Sequence, residues 1–274
     1  MVNETFKPTK KVSSSAWVGE EMYSDMYNMS VADPEKFWGD QAKSLEWIKP
    51  FTKVKDTSFE APNVHIRWFE DGILNASVNC VDRHLSKKAN ETAIIWESDD
   101  PNVAKKITYE ELHEQVCKVA NVYKKLGVGK GDRIVLYMPM IPEAAYAILA
   151  SARIGAIHSI VFAGFSPEAL ASRIEDCGAK LVVTADEAPR GGKNTPLKTN
   201  VDEALTICGD VKVLVVQRTG ASVPMVEARD FAYDRLILEV GKYCDPEPMN
   251  AEDPLFILYT SGSTGKPKGV QHST

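Results

Sequence analysis

From about residue 90 onward, short apolar runs alternate with segments whose apolar residues recur every three or four positions. The short runs predict strands at Thr92 to Trp96, Lys106 to Tyr109, Arg133 to Met138, His158 to Phe162, Lys180 to Thr184, Val211 to Val216 and Leu255 to Tyr259. The helical spacing is clearest in Tyr109 to Leu126, where Leu112, Val116, Val119, Ala120 and Tyr123 fall near one face and Gly127 ends the segment. Helices are also expected over Pro142 to Ile154, Pro167 to Cys177 and Leu197 to Cys208. Strict succession of β-branched runs and helices predicts an α/β fold, with a mainly parallel sheet flanked by helices. Ligands of such sheets gather at the carboxyl ends of strands, so the loops that follow strands are where chemistry is sought.

Upstream the pattern differs. Residues 1–20 are polar, with serines at Ser13 to Ser15, and read as a flexible N-terminal arm. Residues 21–85 are rich in aromatics (Tyr23, Tyr27, Phe37, Trp38, Trp47, Phe51, Trp68, Phe69) and read as a helical cap on a larger domain spanning 86–274. Within the cap, Asp33-Pro34-Glu35 is an N-cap followed by proline at the first helical position, with Phe37, Trp38 and Ala42 on the expected buried face. Lys55 to Pro62 and Cys244 to Pro254 read as linkers.

With 44% hydrophobic and 26% charged residues the chain can build an ordinary core. Its net charge of −6 argues against nucleic acid as a partner, so any phosphate must be held by a local group of cations. The five cysteines are odd in number and form no CxxC pair, which predicts reduced thiols. No apolar stretch approaches the ~18 residues of a membrane span and no signal core opens the chain, so a cytoplasmic protein without membrane contact is expected. On that address the four N-x-[ST] sequons, at Asn3, Asn28, Asn75 and Asn90, are accidental. His65, His84, His113 and His158 show no metal-ligand spacing and are expected to be satisfied structural histidines; no metal site and no catalytic triad is legible.

The most informative segment follows the last predicted strand. Thr260-Ser261-Gly262-Ser263-Thr264-Gly265-Lys266-Pro267-Lys268-Gly269 sets glycines, hydroxyls and two lysines together. Glycines let backbone N–H groups approach an anion, hydroxyls donate to phosphate oxygens, and lysines supply charge, so this is a polyphosphate cradle. A Walker loop would need Ser or Thr after its Gly-Lys and would open a helix. Pro267 occupies that position, which predicts an extended or turn-like continuation instead. A second loop, Ala188-Pro189-Arg190-Gly191-Gly192-Lys193, flanks two glycines with cations; on the residues alone it is either an anion site or a solvated turn.

The segment Tyr259 to Val270 resembles the signature of the adenylate-forming superfamily. Trp68-Phe69-Glu70-Asp71-Gly72, Tyr137-Met138-Pro139-Met140-Ile141-Pro142-Glu143-Ala144 and Ala152 to Phe162 narrow the resemblance to the acetyl-CoA synthetase branch and its propionyl relative. That resemblance implies an acid–thiol ligase acting on acetate, ATP and coenzyme A with magnesium. A carboxylate attacks the α-phosphate of ATP, and the thiol of coenzyme A then displaces AMP. It implies that Thr260, Ser261, Gly262, Ser263, Thr264, Gly265, Lys266 and Lys268 orient the ATP phosphates. It further implies that Arg190, Gly191, Gly192 and Lys193, with Phe162, Ala163 and Gly164, contact coenzyme A. The adenine and ribose segments, the acyl pocket and the small C-terminal domain of the family are expected downstream of residue 274, leaving this chain as the N-terminal part of such an enzyme and inactive alone. The alternatives are a propionate–CoA ligase and a non-catalytic nucleotide- or coenzyme A-binding module; an oxidase of the luciferase type or a peptide-synthetase adenylation domain fits Arg190 to Lys193 less well.

Overall fold

A computed structural model describes residues 6–260, 265 and 267–274. The chain divides into two compact units, Met1–Leu45 with Lys53–Trp68, and Glu46–Thr52 with Phe69–Thr274.

The first unit holds helices α1 (Lys10–Ser15), α2 (Glu20–Ala32) and α3 (Pro34–Ala42), and the antiparallel strands β1 (Lys55–Ser58) and β2 (His65–Trp68). Two expectations need correction. Part of the arm is helical, with the Thr9 side chain accepting from the Val12 amide, and the Lys55 to Pro62 linker contains β1. Strand β1 carries no apolar run; it forms because it pairs residue for residue with the following strand β2, a cause its own composition does not show. The α3 cap is as expected, Asp33 accepting from the Lys36 amide at 3.1 Å. Phe37 and Ala42 are buried, but Trp38 is 43% exposed. Consecutive residues lie about 100° apart on a helix, and on this short helix Phe37 takes the inner position while Trp38 falls toward its rim. Trp38 instead meets Phe37 and Trp68 edge-on, at 5.0 and 6.2 Å between ring centres.

The second unit opens with β3 (Ile73–Leu74), a π-turn at Val78–Asp82, α4 (Arg83–Lys88), the hairpin β4 (Thr92–Glu97) and β5 (Ala104–Thr108), and α5 (Tyr109–Lys125). The alternation follows: β6 (Arg133–Tyr137), α6 (Pro142–Arg153), β7 (Ile157–Ile160), α7 (Pro167–Cys177), β8 (Leu181–Ala185), a hairpin of β9 (Ala188–Arg190) and β10 (Lys193–Thr195), α8 (Leu197–Cys208) and β11 (Lys212–Val216). The rest comprises β12 (Asp230–Ala232), α9 (Tyr233–Leu236), β13 (Met249–Asn250), β14 (Pro254–Thr260) and β15 (Lys268–Ser273). The Cys244 to Pro254 linker therefore carries a strand, β13, paired with β3.

Seven strands form one sheet in the order β12-β11-β8-β6-β7-β14-β15, parallel except for the antiparallel pair β14–β15. All five residues of β8 are buried, as are Ile134 to Tyr137 of β6 and Val213 to Val216 of β11. Burial on both faces is what near-continuous apolar strands require. The β6–α6–β7 connection runs toward one edge and β7–α7–β8 returns past β6 toward the other. With right-handed crossovers, that reversal sets α6 and α7 on opposite faces.

Buried polar groups fix the elements. Arg153, 1% exposed, forms a two-pronged pair with Asp82 (2.9 and 3.0 Å) and donates through Nε to Cys244 O at 2.6 Å. Asn75, also 1% exposed, donates from its amide to the carbonyls of Ala152, Arg153 and Glu247. Lys198 is fully buried on α8 and pairs with Asp202 (2.7 Å) and with Asp230 of β12 (2.9 Å). All five cysteines are free thiols.

Candidate functional site

Strands β6, β7, β8, β11 and β14 end at one edge of the sheet, because each is parallel to its neighbour. The connections from the adjacent strands β6 and β8 leave in opposite directions, so the crevice between their carboxyl ends is the switch point of the topology. Tyr137, the last residue of β6, stands there. Its hydroxyl donates to Phe165 O at 2.8 Å and accepts from Asn200 Nδ2 at 3.0 Å. Burial raises the phenol's pKa, which keeps it a neutral donor at physiological pH. The Phe162–Phe165 loop is thus pinned at its C-terminal carbonyl, while Phe162 remains 51% exposed.

The Arg190 to Lys193 segment, expected as a loop, is the tip of the β9–β10 hairpin, with Arg190 and Lys193 directly opposed. Gly191 and Gly192 have φ of 56° and 77°, the left-handed pair that a two-residue hairpin turn demands. The turn alone therefore accounts for both glycines. It does not account for the cations. Like charges directly opposite one another destabilise a pair by about 0.2–1 kcal/mol, and among the described residues no carboxylate lies within ion-pair distance of either side chain. Such an arrangement is relieved by an anion.

The two predicted contact loops meet in space: the Arg190 guanidinium lies 5.1 Å from the centre of the Phe162 ring. One participant has no sequence signature. The Gly191 N–H donates to Asp99 Oδ2 at 3.1 Å, so a carboxylate oxygen sits at the tip of the turn. Asp99 belongs to the turn between β4 and β5, far from Gly191 in sequence, and nothing local marks it.

Thr260 and Lys268 bracket the third loop as register partners across β14 and β15, both exposed. After Pro267 the chain enters β15, an antiparallel strand where a Walker loop would begin a helix. Gly265 has a φ of 85°, reserved for glycine. Ser261, Gly262, Ser263, Thr264 and Lys266 lie outside the described residues. Below the loop, the Tyr259 hydroxyl donates to Asp176 at 2.6 Å, and burial raises its pKa.

A cavity of about 200 Å³ opens on the same edge between Trp96, Glu143 and Arg218. Its cations Lys105 and Arg218 are matched by Glu143 and Asp234, so it offers no net charge to a polyphosphate. The histidines behave unequally. His113 pairs with Asp82 and His65 with Asp56. His158 departs from the expectation of a satisfied histidine: it is 5% exposed, its Nδ1 has no partner among the described residues, and it packs on Phe256 instead. Burial alone lowers its pKa to about 4.

The family model described as AMP-binding enzyme matches residues 81–274. The chain belongs to the AMP-binding enzyme family. A second model, acetyl-coenzyme A synthetase N-terminus, matches residues 23–80 ahead of the AMP-binding region. The chain is 58% identical over 275 positions to an acetyl-coenzyme A synthetase of Parvibaculum lavamentivorans, covering 100% of this chain and 42% of that protein. It is 62% identical over 254 positions to an acetyl-coenzyme A synthetase of Rhodobacter capsulatus, covering 92% of this chain and 39% of the relative. It thus spans about two fifths of the length of these AMP-binding relatives. In fold it matches the acetoacetyl-CoA synthetase of Streptomyces lividans with a TM-score of 0.82 at 24% identity, over 96% of this chain and 40% of that structure.

Proposed function

We propose that this chain provides the phosphate loop and the thiol-cofactor loop of an AMP-forming acetate–CoA ligase. The observation that carries this is its identity of 58% to an acetyl-coenzyme A synthetase over the whole chain, with both loops at one sheet edge. In this reading acetate attacks the α-phosphorus of ATP, and the P–O bond to pyrophosphate breaks. The coenzyme A thiol then attacks the acetyl carbon; a C–S bond forms, and the C–O bond to AMP breaks. Charge grows on the departing pyrophosphate in the first step. Preorganised donors at Thr260 and Lys268, together with Ser261, Gly262, Ser263, Thr264, Gly265 and Lys266, stabilise it there. Arg190 and Lys193, held side by side by the Gly191-Gly192 turn, take a phosphate of coenzyme A, and Phe162, Ala163 and Gly164 line its approach.

Magnesium would lend further positive charge to the leaving phosphates. Among the described residues no cluster of three His, Cys, Asp or Glu side chains could hold the ion, so it enters this reading only as the counter-ion ATP brings. The division into an arm (1–20), a cap (21–85) and an AMP-binding domain (86–274) belongs to the same reading, as do small-molecule substrates and a cytoplasmic location. Among the described residues no helix is long and apolar enough to cross a membrane.

The test replaces the matched two fifths of the Parvibaculum enzyme by this chain and follows acetate-dependent pyrophosphate release. Activity near that of the parent, with Lys268→Ala reducing kcat/KM about 100-fold or more, is the expected result. A folded chimaera that binds ATP without releasing pyrophosphate would favour a non-catalytic module; preference for propionate over acetate would favour the propionyl relative.

A further inference from the structure

Arg173 on α7 is 8% exposed, yet among the described residues no carboxylate lies within ion-pair distance of it. Its Nη1 donates to Ala169 O on the same helix at 2.5 Å. A guanidinium withdrawn from water without a counter-ion needs other partners. It finds two aromatic rings, Phe165 at 4.8 Å and Tyr259 at 5.3 Å from ring centre to guanidinium carbon. These rings belong to different segments, one a loop and the other the end of strand β14. Phe165 closes the segment after β7, and Tyr259 immediately precedes Thr260 at the root of the phosphate loop. Phe165 also meets Phe162 edge-on at 5.8 Å, and Phe162 lies under Arg190.

Arg190, Phe162, Phe165, Arg173 and Tyr259 therefore form an unbroken series of ring and cation contacts between the β9–β10 turn and the phosphate loop. Each such contact depends on the relative orientation of its two partners. Tyr137 fixes the backbone of the middle segment, which leaves the ring stack as its adjustable part. A planar guanidinium can present a flat face to each of two rings, whereas an ammonium meets them as a compact, strongly hydrated point charge.

We propose that Arg173 is a positioning residue that couples the two loops, so that an anion held by the Arg190 turn changes the affinity of the phosphate loop for its own, and the reverse. The inference rests on the assignment of the two loops above.

The experiment has two arms on the full chain. In the first, isothermal titration gives the Kd of adenosine 3′,5′-bisphosphate and of tripolyphosphate, each alone and with the other saturating. The expected coupling factor is about fivefold or more, equal in both directions, and falls to about one in Arg173→Lys and Arg173→Met while each Kd alone changes less than about twofold. The lysine variant keeps the charge, so coupling through simple repulsion of two anions would survive in it. In the second arm, urea unfolding of Phe165→Leu, Tyr259→Leu and the double variant is expected to be non-additive by about threefold or more in the unfolding constant, and additive when Arg173 is Met. Additivity with Arg173 present would overturn the proposal. So would a coupling factor of one with both probes bound, or coupling that persists in Arg173→Lys; either leaves the assignment of the loops standing. Failure of both probes to bind, with the unfolding cycle as expected, would overturn the loop assignment and the coupling with it.

Discussion

The Gly191 amide is a contested donor. In the structure it serves the Asp99 carboxylate, an anion tethered to the β4–β5 turn. A charged ligand arriving at Arg190 and Lys193 must displace Asp99 or accept it as a like-charged neighbour, and both weaken binding. Asp99→Asn keeps the side chain's size and removes its charge. Titration with adenosine 3′,5′-bisphosphate is expected to show a Kd lower by about three- to tenfold at low salt, with the gain shrinking as ionic strength rises. A second residue-scale consequence concerns pH. The hydrogen bond to Asp82, and then that to Cys117, raise the His113 pKa to about 9. Burial raises Asp82, but its bonds from His113 and Arg153 outweigh this and leave it at about 2. Because the folded-state pKa of His113 exceeds its ordinary 6.5, its contribution is complete below pH 6.5 and is lost as pH rises through about 9. His113→Gln should therefore melt earlier than the parent at pH 6, with the two melting temperatures converging above pH 9 in calorimetric scans. His158 has the opposite sign: its pKa of about 4 makes it a source of instability only as pH falls from 6.5 through 4.

At the scale of elements, the sheet's outer strand β12 depends on charges more than on apolar contact. Its Phe231 is only half-buried, whereas the Asp230 carboxylate is fully buried and held by Lys198 (2.9 Å) and Arg229 (2.7 Å). Removing one member leaves an unpaired buried charge. Lys198→Met is expected to lower stability by about 3–5 kcal/mol in urea unfolding, a cost that a Lys198→Met, Asp230→Leu double variant partly recovers. Strand β12 was also illegible in the sequence, and for this reason: three residues with one aromatic make no pattern, and what seats them is a lysine on a different helix. The central strands were legible because burial on both faces leaves continuous runs such as Leu181 to Val183 and Val213 to Val216. Hairpin β9–β10 and strand β15 lay between, their turn and phosphate-binding residues visible but their pairing not. Pairing across a turn depends on register, which composition does not encode.

For the whole molecule, the chemistry at the sheet edge was readable as loops but not as an arrangement. Arg190 and Phe162 are separated in sequence by α7 and β8, and only the parallel topology brings them into contact. Asp99 and Arg173 had no local signal, and Tyr137 stood in a resembling segment that gave no sign of its role, since each acts through a backbone or ring contributed by another segment. The same long-range closure has a further outcome at Asn75. Its tripeptide Asn75-Ala76-Ser77 is an acceptor for N-linked glycan, but the folded chain buries the amide nitrogen against three carbonyls, whereas Asn28 and Asn90 are exposed. If the chain were sent through a secretory compartment, Asn28 and Asn90 would be open to modification before or after folding, but Asn75 only before. Glycan occupancy at Asn75, relative to the other two by mass spectrometry, should rise with any substitution that slows formation of the second unit. A buried sequon thereby becomes an internal clock, stopped by folding itself.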